Sequence, residues 1–306
     1  MRVALIHNKG AGDPDEHSKA RLTAILRDAG HDVTYFPAKR KKVWRAALDE
    51  PWDVVAVAGG DGTVGRVARR TAGTGLPVAV LPLGTANNLA RALGVSDRPL
   101  EALVAGWPRG VRQCFDLGVA RGPWGEFRFL EGVGAGLLAR MMSWLETIDN
   151  APLEHLDEPE DRVASVVRLL RARLDQCKAV PYAVKLDGRD CSGEYVLVEV
   201  MNIPSIGPNL RLSPGADPSD GLLDVVLLAE DERAEFREHL QAFFPNGDDT
   251  PSLTVHHARR VELVWDGFDV HLDDEPWPED DKAKPRPPAR IVLTLEAHAI
   301  EFLQPG

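Results

Sequence analysis

A buried strand that turns through glycines into a helix is the feature that most constrains the fold of this chain. Residues 54–58 read Val-Val-Ala-Val-Ala, a short apolar run rich in β-branched side chains, which predicts a buried strand. The run continues into Gly-Gly-Asp-Gly-Thr at 59–63, and helical spacing of apolar side chains predicts a helix that begins at Thr63. Glycines let the backbone approach an anion, and the first N–H groups of a helix point towards it. The stretch therefore predicts a phosphate-binding turn.

Asp61 is the unexpected member of this turn, because a carboxylate repels a phosphate. Two functions would explain its presence: Asp61 could hold Mg²⁺, or it could accept a proton from a hydroxyl group that attacks a phosphate. Gly60 and Gly62 are expected to serve the conformation of the turn or the close approach of a phosphate. An alanine at either position should therefore obstruct phosphate binding.

Strands alternate with helices through the first third of the chain, which predicts a parallel sheet. The predicted strands cover 2–7, 32–36, 54–58 and 77–83. Ligands of such sheets bind at the carboxyl ends of the strands. Three of these ends carry glycines and small polar residues, at 8–12, 59–63 and 84–88. We expect these three loops to converge on one edge of the sheet.

From about residue 111 the pattern changes to antiparallel β-structure. Strands are predicted at 111–120, 126–133, 180–186, 194–202, 223–229, 260–265, 268–272 and 290–296, and helices near 137–148, 161–176 and 231–243. Asp-Gly pairs at 187–188 and 266–267 predict hairpin turns, the second joining 260–265 to 268–272. An acidic and proline-rich stretch at 273–288 is typical of a surface loop. The predicted fold is an α/β N-terminal domain with a Rossmann-like parallel sheet, followed by a C-terminal β-rich, sandwich-like domain.

The charge of the chain narrows the classes of partner. The 306 residues carry a formal net charge of -11, which argues against nucleic acid and against permanent docking on anionic lipid. Three widely spaced cysteines fit neither a disulfide framework nor a metal site. The sequence shows no signal peptide and no apolar stretch of membrane-spanning length. We therefore expect a cytoplasmic protein.

Four segments carry a family resemblance. They are Gly-Gly-Asp-Gly-Thr at 59–63, Leu-Pro-Leu-Gly-Thr-Ala-Asn-Asn-Leu-Ala-Arg at 81–91, Ser-Pro-Gly-Ala at 213–216 leading to Asp-Gly-Leu-Leu-Asp at 220–224, and Asp-Asp-Glu-Pro at 273–276. Together they resemble the diacylglycerol kinase catalytic-domain family, which includes sphingosine kinases and bacterial lipid kinases. The first segment alone is shared with NAD kinases, whereas the second and third favour the lipid-kinase branch.

This resemblance implies a two-domain protein with a cleft. An ATP-binding α/β domain is expected at 1–115, and a β-rich domain for substrate and metal at 116–297. A C-terminal segment at 298–306 is expected to return to the first domain. The implied reaction is transfer of the γ-phosphate of ATP to a lipid hydroxyl in the presence of Mg²⁺.

The resemblance also implies roles for particular residues. Asp61 and Glu275 would face each other across the cleft, with Glu275 as the general base and Asp61 next to the metal or the phosphates, or with these roles exchanged. Asp116 would orient other polar groups or serve the structure. The residues expected to contact the nucleotide are Asn8, Gly59, Gly60, Gly62, Thr63, Gly84, Thr85 and Asn87. The ligands expected for Mg²⁺ are the Asp220 carboxylate and the carbonyl groups of Asp217 and Leu222.

Simpler interpretations of three of these residues stay open. Asn8 and Asn87 could cap their loops, and Asp220 could cap an ordinary turn. Three positions also depart from the family pattern: Ala11 lacks a hydroxyl group, Asn88 replaces an aspartate, and Asp274 replaces a glycine.

The leading hypothesis is an ATP- and Mg²⁺-dependent kinase that phosphorylates a hydroxyl of a lipid such as diacylglycerol, with transient contact to a membrane surface. The alternatives are a nucleotide-binding regulatory protein that has lost catalysis, and a kinase for a soluble acceptor such as NAD. An apolar cleft favours lipid, whereas nucleotide binding without phosphate transfer favours the regulator.

Overall fold

The structure, a computed structural model, describes residues 1–13, 15–147, 159–242, 253–277 and 286–306. The chain divides into two compact units. The first unit contains Met1–Leu117 together with Ala297–Gly306, and the second contains Gly118–Glu296. The end of the chain therefore belongs to the same unit as its beginning.

A parallel sheet forms the centre of the first unit. Its strands are β1 (Arg2–His7), β2 (Asp32–Pro37), β3 (Val54–Gly59) and β4 (Val78–Pro82). They lie in the order β4-β3-β1-β2, and all neighbours run parallel. The last strand of the chain, β16 (Ala289–Gln304), pairs in parallel with β4 through Phe302 and Val78. β3 is buried along its whole length, as a central strand of a parallel sheet must be.

The helices of the first unit follow these strands. They are α1 (Lys19–Asp28), α2 (Lys41–Ala47), α3 (Asp61–Thr71), α4 (Asn88–Ala92) and α5 (Leu100–Gly106). The prediction that α3 begins at Thr63 is wrong by two residues. Gly60 is the extended N-cap, and its carbonyl group accepts from the N–H groups of Thr63 and Val64. The helix therefore begins with Asp61 and Gly62. Because neither residue is apolar, the spacing of apolar side chains does not reveal this first turn.

Two linked antiparallel sheets form the second unit. The strands are β5 (Val111–Gly122), β6 (Gly125–Phe129), β7 (Gly132–Gly136), β8 (Val180–Leu186), β9 (Arg189–Asp190), β10 (Gly193–Met201), β11 (Leu223–Ala229), β12 (Val255–Ala258), β13 (Val261–Trp265), β14 (Val270–Leu272) and β15 (Glu275–Trp277). One sheet has the order β12-β11-β10-β7-β14-β15. The other contains β9-β8-β13-β16, with β5 paired to β16 and β6 paired to β5. Pairing of β8 with β10 joins them, and one apolar core draws on both sheets.

Three sequence predictions fail in this unit. The strand expected at 126–133 is two strands, because the chain breaks after Phe129 to place backbone N–H groups on the Asp273 carboxylate. The hairpin expected at 266–267 does not form: β13 pairs with β8 and β16, whereas β14 pairs with β7 and β15. The start of the loop expected at 273–288 is the strand β15, and the part between 277 and 286 lies outside the described residues.

Helices pack on the outer face of the β10–β11 sheet. They are α6 (Leu137–Thr147), α7 (Pro159–Leu174) and α8 (Arg233–Ala242). The apolar side of α7 is buried through Val167, Leu170 and Leu174 in a core shared with β10 and β11. The apolar side chains of α7 therefore serve the packing of the core. None of the described helices is both long and apolar enough to cross a membrane.

Candidate functional site

The glycine loops after β3 and β4 touch each other through their backbones. A Cβ atom at Gly84 would lie 2.5 Å from the Cα atom of Gly60 and 2.8 Å from Oδ1 of Asn87. A Cβ atom at Gly60 would lie 3.0 Å from the Cα atom of Gly84. The φ of Gly60 is -91°, which any residue can adopt, so the close approach of the two loops, and not conformation, requires glycine here.

Asp61 connects the same two loops by hydrogen bonds. Its Oδ2 accepts from the backbone N–H of Asn88 at 3.0 Å, and its Oδ1 accepts from the N–H of Leu89 at 2.9 Å. These are N–H groups of the first turn of α4, which have no partner inside their own helix. A carboxylate of α3 thus caps α4 and holds the loop at 84–88 against the loop at 59–63. Asn88 stands where the family pattern has an aspartate. Its bond to Asp61 does not depend on this difference, because Asn88 donates through its backbone N–H.

Asn87 closes its own loop. It adopts the left-handed conformation with φ 53°, which asparagine tolerates better than most residues. Its side-chain amide donates to the carbonyl of Gly84 at 2.8 Å, and its Oδ1 accepts from the N–H of Gly84 at 2.9 Å. Thr85 is exposed at the tip of the loop that these two bonds close. The loop therefore presents a hydroxyl group on a fixed backbone.

Asn8 shapes the loop after β1. Its N–H donates to the carbonyl of Ala58 at 2.9 Å, which ties the loop to β3. Its Oδ1 accepts from the N–H of Gly10 at 3.2 Å, and its carbonyl accepts from the N–H of Ala11 at 3.0 Å. The capping interpretation of Asn8 and Asn87 therefore describes what both side chains do here. Ala11 contributes its backbone and needs no hydroxyl group for this turn.

Lys9 and His17 lie close to His7, the residue from which this first loop starts. Burial lowers the pKa of His7, and the nearby Lys9 and His17 lower it further. The ammonium group of Lys9 would attract a phosphate group.

Thr63 and Gly59 pack against each other at the start of α3. Thr63 is buried, and its Oγ1 accepts from the Arg66 guanidinium at 3.3 Å, which leaves the hydroxyl hydrogen to donate. A Cβ atom at Gly59 would lie 2.9 Å from the Cβ of Thr63. Gly62 lies in the first turn of the same helix. The first unit thus brings all eight predicted nucleotide-binding residues and Asp61 to the carboxyl ends of β1, β3 and β4.

Asp116 lies elsewhere in the first unit, fully buried near the end of the chain. Its Oδ1 accepts from the backbone N–H of His298 at 2.7 Å. His298 has φ 51°, a left-handed conformation within β16. Asp116 therefore anchors the C-terminal strand at an irregular residue, which supports the structural interpretation of this aspartate.

The predicted metal loop belongs to the second unit. Oδ1 of Asp220 accepts from the N–H of Leu222 at 2.8 Å, and the N–H of Asp220 donates to the carbonyl of Asp217 at 3.3 Å. Oδ1 of Asp217 accepts from Ser219. Across the described ranges, no three His, Cys, Asp or Glu side chains gather where they could hold a metal ion. The loop offers the exposed carboxylates of Asp217 and Asp220 together with backbone carbonyl groups, an oxygen-only set that fits Mg²⁺ if water completes it.

A hydrogen bond between Ser213 and Asp224 connects the chain before this loop to the chain after it. The Ser213 hydroxyl donates to Oδ1 of Asp224 at 2.6 Å, and both side chains are buried. Burial raises the pKa of Asp224, although the bond from Ser213 and the nearby His257 act in the opposite direction. This bond explains why serine and aspartate stand at the two ends of the third motif.

Glu275 begins β15 directly after a two-residue turn. β14 and β15 pair with Leu272 opposite Glu275, so Asp273 and Asp274 form the whole connection. The left-handed residue of this turn is Asp273, with φ 53°, and not Asp274. The turn therefore does not require glycine at 274. Glu275 is half-buried.

Asp273 anchors this turn. Its Oδ1 accepts from the N–H of Glu131 at 2.8 Å and of Gly132 at 3.2 Å, and the N–H of Leu130 reaches both of its carboxylate oxygens. Its own N–H donates to the carbonyl of Gly132 at 2.8 Å. Sequence reasoning missed this role, because the partners of Asp273 lie far away along the chain.

A second omission is a buried pair of ionisable side chains. Nε2 of His271 lies 3.0 and 2.9 Å from the two carboxylate oxygens of Glu199, and both residues are fully buried. Nδ1 of His271 lies 3.0 Å from the carbonyl oxygen of Asp273. Burial alone would lower the pKa of His271, but the charge and hydrogen bond of Glu199 outweigh it and raise the pKa. The only sequence signal was a histidine two residues before Asp273.

Two family models match successive parts of the chain. The model for the diacylglycerol kinase catalytic domain matches residues 2–118. The model for the YegS C-terminal NAD kinase beta sandwich-like domain matches residues 154–292. Together they cover the glycine loops, the Asp217–Leu222 loop and Glu275.

Individual relatives agree with these matches. A diacylglycerol kinase from Mycobacterium tuberculosis (strain ATCC 25618 / H37Rv) is 26% identical over 279 residues, which are 88% of this chain and 84% of the relative. A protein of Pseudomonas aeruginosa (strain UCBPP-PA14) named "Probable lipid kinase YegS-like" is 28% identical over 286 residues, 90% of this chain and 87% of the relative.

Solved structures share the fold. The crystal structure of a candidate diacylglycerol kinase from Bacillus anthracis str. Sterne has a TM-score of 0.72 at 21% identity, covering 99% of this chain and 95% of that one. Yeast NADH kinase in complex with NADH has a TM-score of 0.50 at 10% identity, covering 100% and 84%. At these identities the likeness concerns the fold alone.

Proposed function

Because this chain belongs to the diacylglycerol kinase catalytic-domain family, we propose that it is an ATP- and Mg²⁺-dependent kinase that phosphorylates a hydroxyl of a lipid such as diacylglycerol or a related lipid alcohol. One observation carries the proposal: Asp61 bonds to two N–H groups of α4 and holds two glycine loops in backbone contact. Phosphoryl transfer requires mainly positioning and neutralisation of charge, and this edge of the sheet is built for both.

The first unit is proposed to bind the phosphates of ATP. The loops at 59–63 and 84–88 supply backbone N–H groups, and the hydroxyls of Thr63 and Thr85 can donate hydrogen bonds. α3 has eleven residues, so the positive end of a substantial helix dipole adds to this site. Asn8 and Asn87 fix the loops, and Lys9 adds positive charge. Asp61 is proposed to lie beside the phosphates or their metal ion.

Glu275 is proposed as the general base. A half-buried carboxylate on a pinned turn can accept the proton of an acceptor hydroxyl as that oxygen attacks the γ-phosphorus, while ADP leaves with the bridging oxygen. A positioned base contributes about 10²–10⁴ in rate. Asp116 is proposed to support the site only indirectly, through its bond to His298.

Mg²⁺ is proposed as the required cation. Bound with the nucleotide, it would neutralise charge on the phosphates. A second, structural ion is proposed at Asp220, with the carbonyl groups of Asp217 and Leu222 as partners. Because the Asp220 carboxylate already accepts from the N–H of Leu222, its role in the apo protein is to shape the turn.

A lipid acceptor lies in a membrane, whereas the net charge of -11 argues against permanent binding to anionic lipid. We therefore propose a cytoplasmic protein that touches the membrane surface transiently.

A panel of acceptors tests the proposal. The purified protein is incubated with γ-labelled ATP and Mg²⁺, and with dioctanoylglycerol, sphingosine, total lipid extract or NAD, and the products are separated by chromatography. Label in an organic-phase product supports the lipid kinase. Label in NADP supports a kinase for a soluble acceptor. Tight ATP binding without labelled product from any acceptor supports a regulatory protein that has lost catalysis.

A further inference from the structure

The fully buried pair of His271 and Glu199, which we call the His271–Glu199 pair, spans three adjacent strands. The register places Glu199 of β10 opposite Gly134 of β7, and His271 of β14 opposite the same glycine. A Cβ atom at Gly134 would overlap both carboxylate oxygens of Glu199. The missing side chain at Gly134 thus makes the space in which the pair meets.

The hydrogen bond between His271 and the carbonyl of Asp273 decides which ring nitrogen of His271 carries a proton. A carbonyl oxygen carries no proton, so Nδ1 of His271 must donate to the carbonyl of Asp273. Nε2 then faces the Glu199 carboxylate and shares a proton with it. A carboxylate that binds one nitrogen of an imidazole ring fixes the tautomer and the orientation of the ring at the other nitrogen. Glu199 therefore orients the ring so that it holds the Asp273 carbonyl.

Asp273 is held through every polar group that it has. Its N–H donates to Gly132, its carboxylate accepts from three successive backbone N–H groups, and its carbonyl accepts from His271. Its left-handed conformation is unfavourable for a residue other than glycine and persists only where the surroundings impose it. Glu275 follows two residues later, so the direction of its side chain depends on this turn.

We propose that the His271–Glu199 pair positions Glu275 for proton transfer by holding the carbonyl of Asp273. The inference rests on the proposed function, in which Glu275 is the base. His271 and Glu199 are positioning residues, because they act on the reaction only through the turn that carries Glu275. Tyr182 interacts electrostatically with Glu199, and burial raises the pKa of Tyr182 to about 12, so that its hydroxyl group stays neutral.

The main test replaces the pair with apolar side chains of similar size. The double variant Glu199→Met/His271→Phe should fold, because buried ion pairs can be exchanged for packed apolar groups. We expect its kcat with dioctanoylglycerol to fall at least tenfold while KM for ATP stays within twofold. Glu199→Gln should lose less than threefold, because a neutral amide can still orient the ring. Tyr182→Phe, which removes another buried polar atom of the same unit, is the control and should keep the wild-type rate.

A double-mutant cycle separates positioning from a general structural effect. In a Glu275→Gln background the apolar double variant should cause no further fall in kcat, because the base on which the pair acts is already absent. The positioning role alone would be overturned if the apolar double variant lowered kcat equally in the wild-type and Glu275→Gln backgrounds. It would also be overturned if the double variant in the wild-type background kept a kcat within twofold of wild type. Wild-type protein that phosphorylates no acceptor would overturn the proposed function as well.

Nitrogen-15 NMR of the wild-type histidines gives a readout that needs neither activity nor a folded variant. Nδ1 of His271 should be protonated across the range in which the protein is folded. An unprotonated Nδ1 would exclude the bond to the Asp273 carbonyl and overturn the inference.

Discussion

The hydrogen bonds of Asp61 explain why a carboxylate stands in the turn that we propose binds phosphate. Both of its oxygens accept from backbone N–H groups of the neighbouring loop, at 3.0 and 2.9 Å. Bonds from N–H groups to an ionised acceptor are stronger than those between neutral groups. Asp61 can therefore keep two loops in register even where its charge would be unfavourable for the ligand.

Asp61→Asn should lower turnover at least tenfold without unfolding the protein. An amide has one oxygen, so the NH₂ group must face one of the two N–H donors, and the capping of α4 is lost in part. We expect a destabilisation of about 1–3 kcal/mol. Steady-state kinetics and thermal unfolding measure both effects, with Asp97→Asn, an exposed aspartate of the same unit, as the control. Wild-type turnover in Asp61→Asn would contradict the role of this bond.

Gly84→Ala should weaken nucleotide binding at least tenfold, because its Cβ would lie 2.5 Å from the backbone of Gly60 and must push the loops apart. Forced overpacking of this kind costs about 1–3 kcal/mol. Gly65→Ala in α3 is the matched control: its Cβ would lie 3.5 Å from the Arg69 side chain, an ordinary contact. Calorimetric titration with a non-hydrolysable ATP analogue measures the affinity. Equal affinities for both variants would refute the argument from close approach.

At the scale of elements, the β14–β15 hairpin depends on a carboxylate that serves three N–H groups. Asp273→Ala leaves these buried donors without an acceptor, and we expect a loss of at least about 2 kcal/mol in unfolding free energy. Asp274→Ala changes the exposed neighbour and should stay within about 0.5 kcal/mol of wild type. Denaturant unfolding compares the two. Similar stabilities would show that the turn does not rely on Asp273.

The buried pair of His271 on β14 and Glu199 on β10 should make stability depend on pH. The pKa of His271 is raised above its ordinary value of 6.5 in the folded state. The stabilisation is therefore complete below pH 6.5 and is lost as the pH rises through the folded pKa. The melting temperature of wild type minus that of Glu199→Met/His271→Phe should fall from pH 6.5 upwards. A difference that stays constant or grows in that range would contradict the assignment.

These elements show how far sequence reasoning reaches. The strand at 54–58, the parallel sheet of the first unit and the convergence of three loops follow from local periodicity and from glycine, which the sequence displays directly. The Asp-Gly pair at 266–267 marked a turn, but which strands pair across it depends on distant partners, and the chain crosses to the other sheet there.

The roles of Asp61 and Asp273 were beyond prediction for the same reason. Each accepts from backbone groups that lie far away along the chain, and backbone donors carry no sequence signature. The Asp220 turn and the loop bonds of Asn8 and Asn87 are local, and the capping interpretation of these three residues was available from the sequence.

At the scale of the whole molecule, the chain combines two compact units, to which we assign separate tasks in the proposed function. The first presents glycine loops and a helix N-terminus, which we propose bind the phosphates of ATP. The second presents Glu275 on a pinned turn and an oxygen-lined loop at Asp220. The two family models match one part of the chain each.

The proposed lipid kinase activity, with Glu275 as the base, is tested most directly by measuring the transfer of label from γ-labelled ATP to dioctanoylglycerol in the presence of Mg²⁺. Wild type and Glu275→Gln are measured side by side. Wild type should accumulate organic-phase label that EDTA abolishes, and Glu275→Gln should be at least tenfold slower at an unchanged melting temperature, because glutamine cannot accept the hydroxyl proton. Equal rates for the two proteins would contradict Glu275 as the base. Bound ATP with no labelled lipid in wild type would contradict the kinase itself.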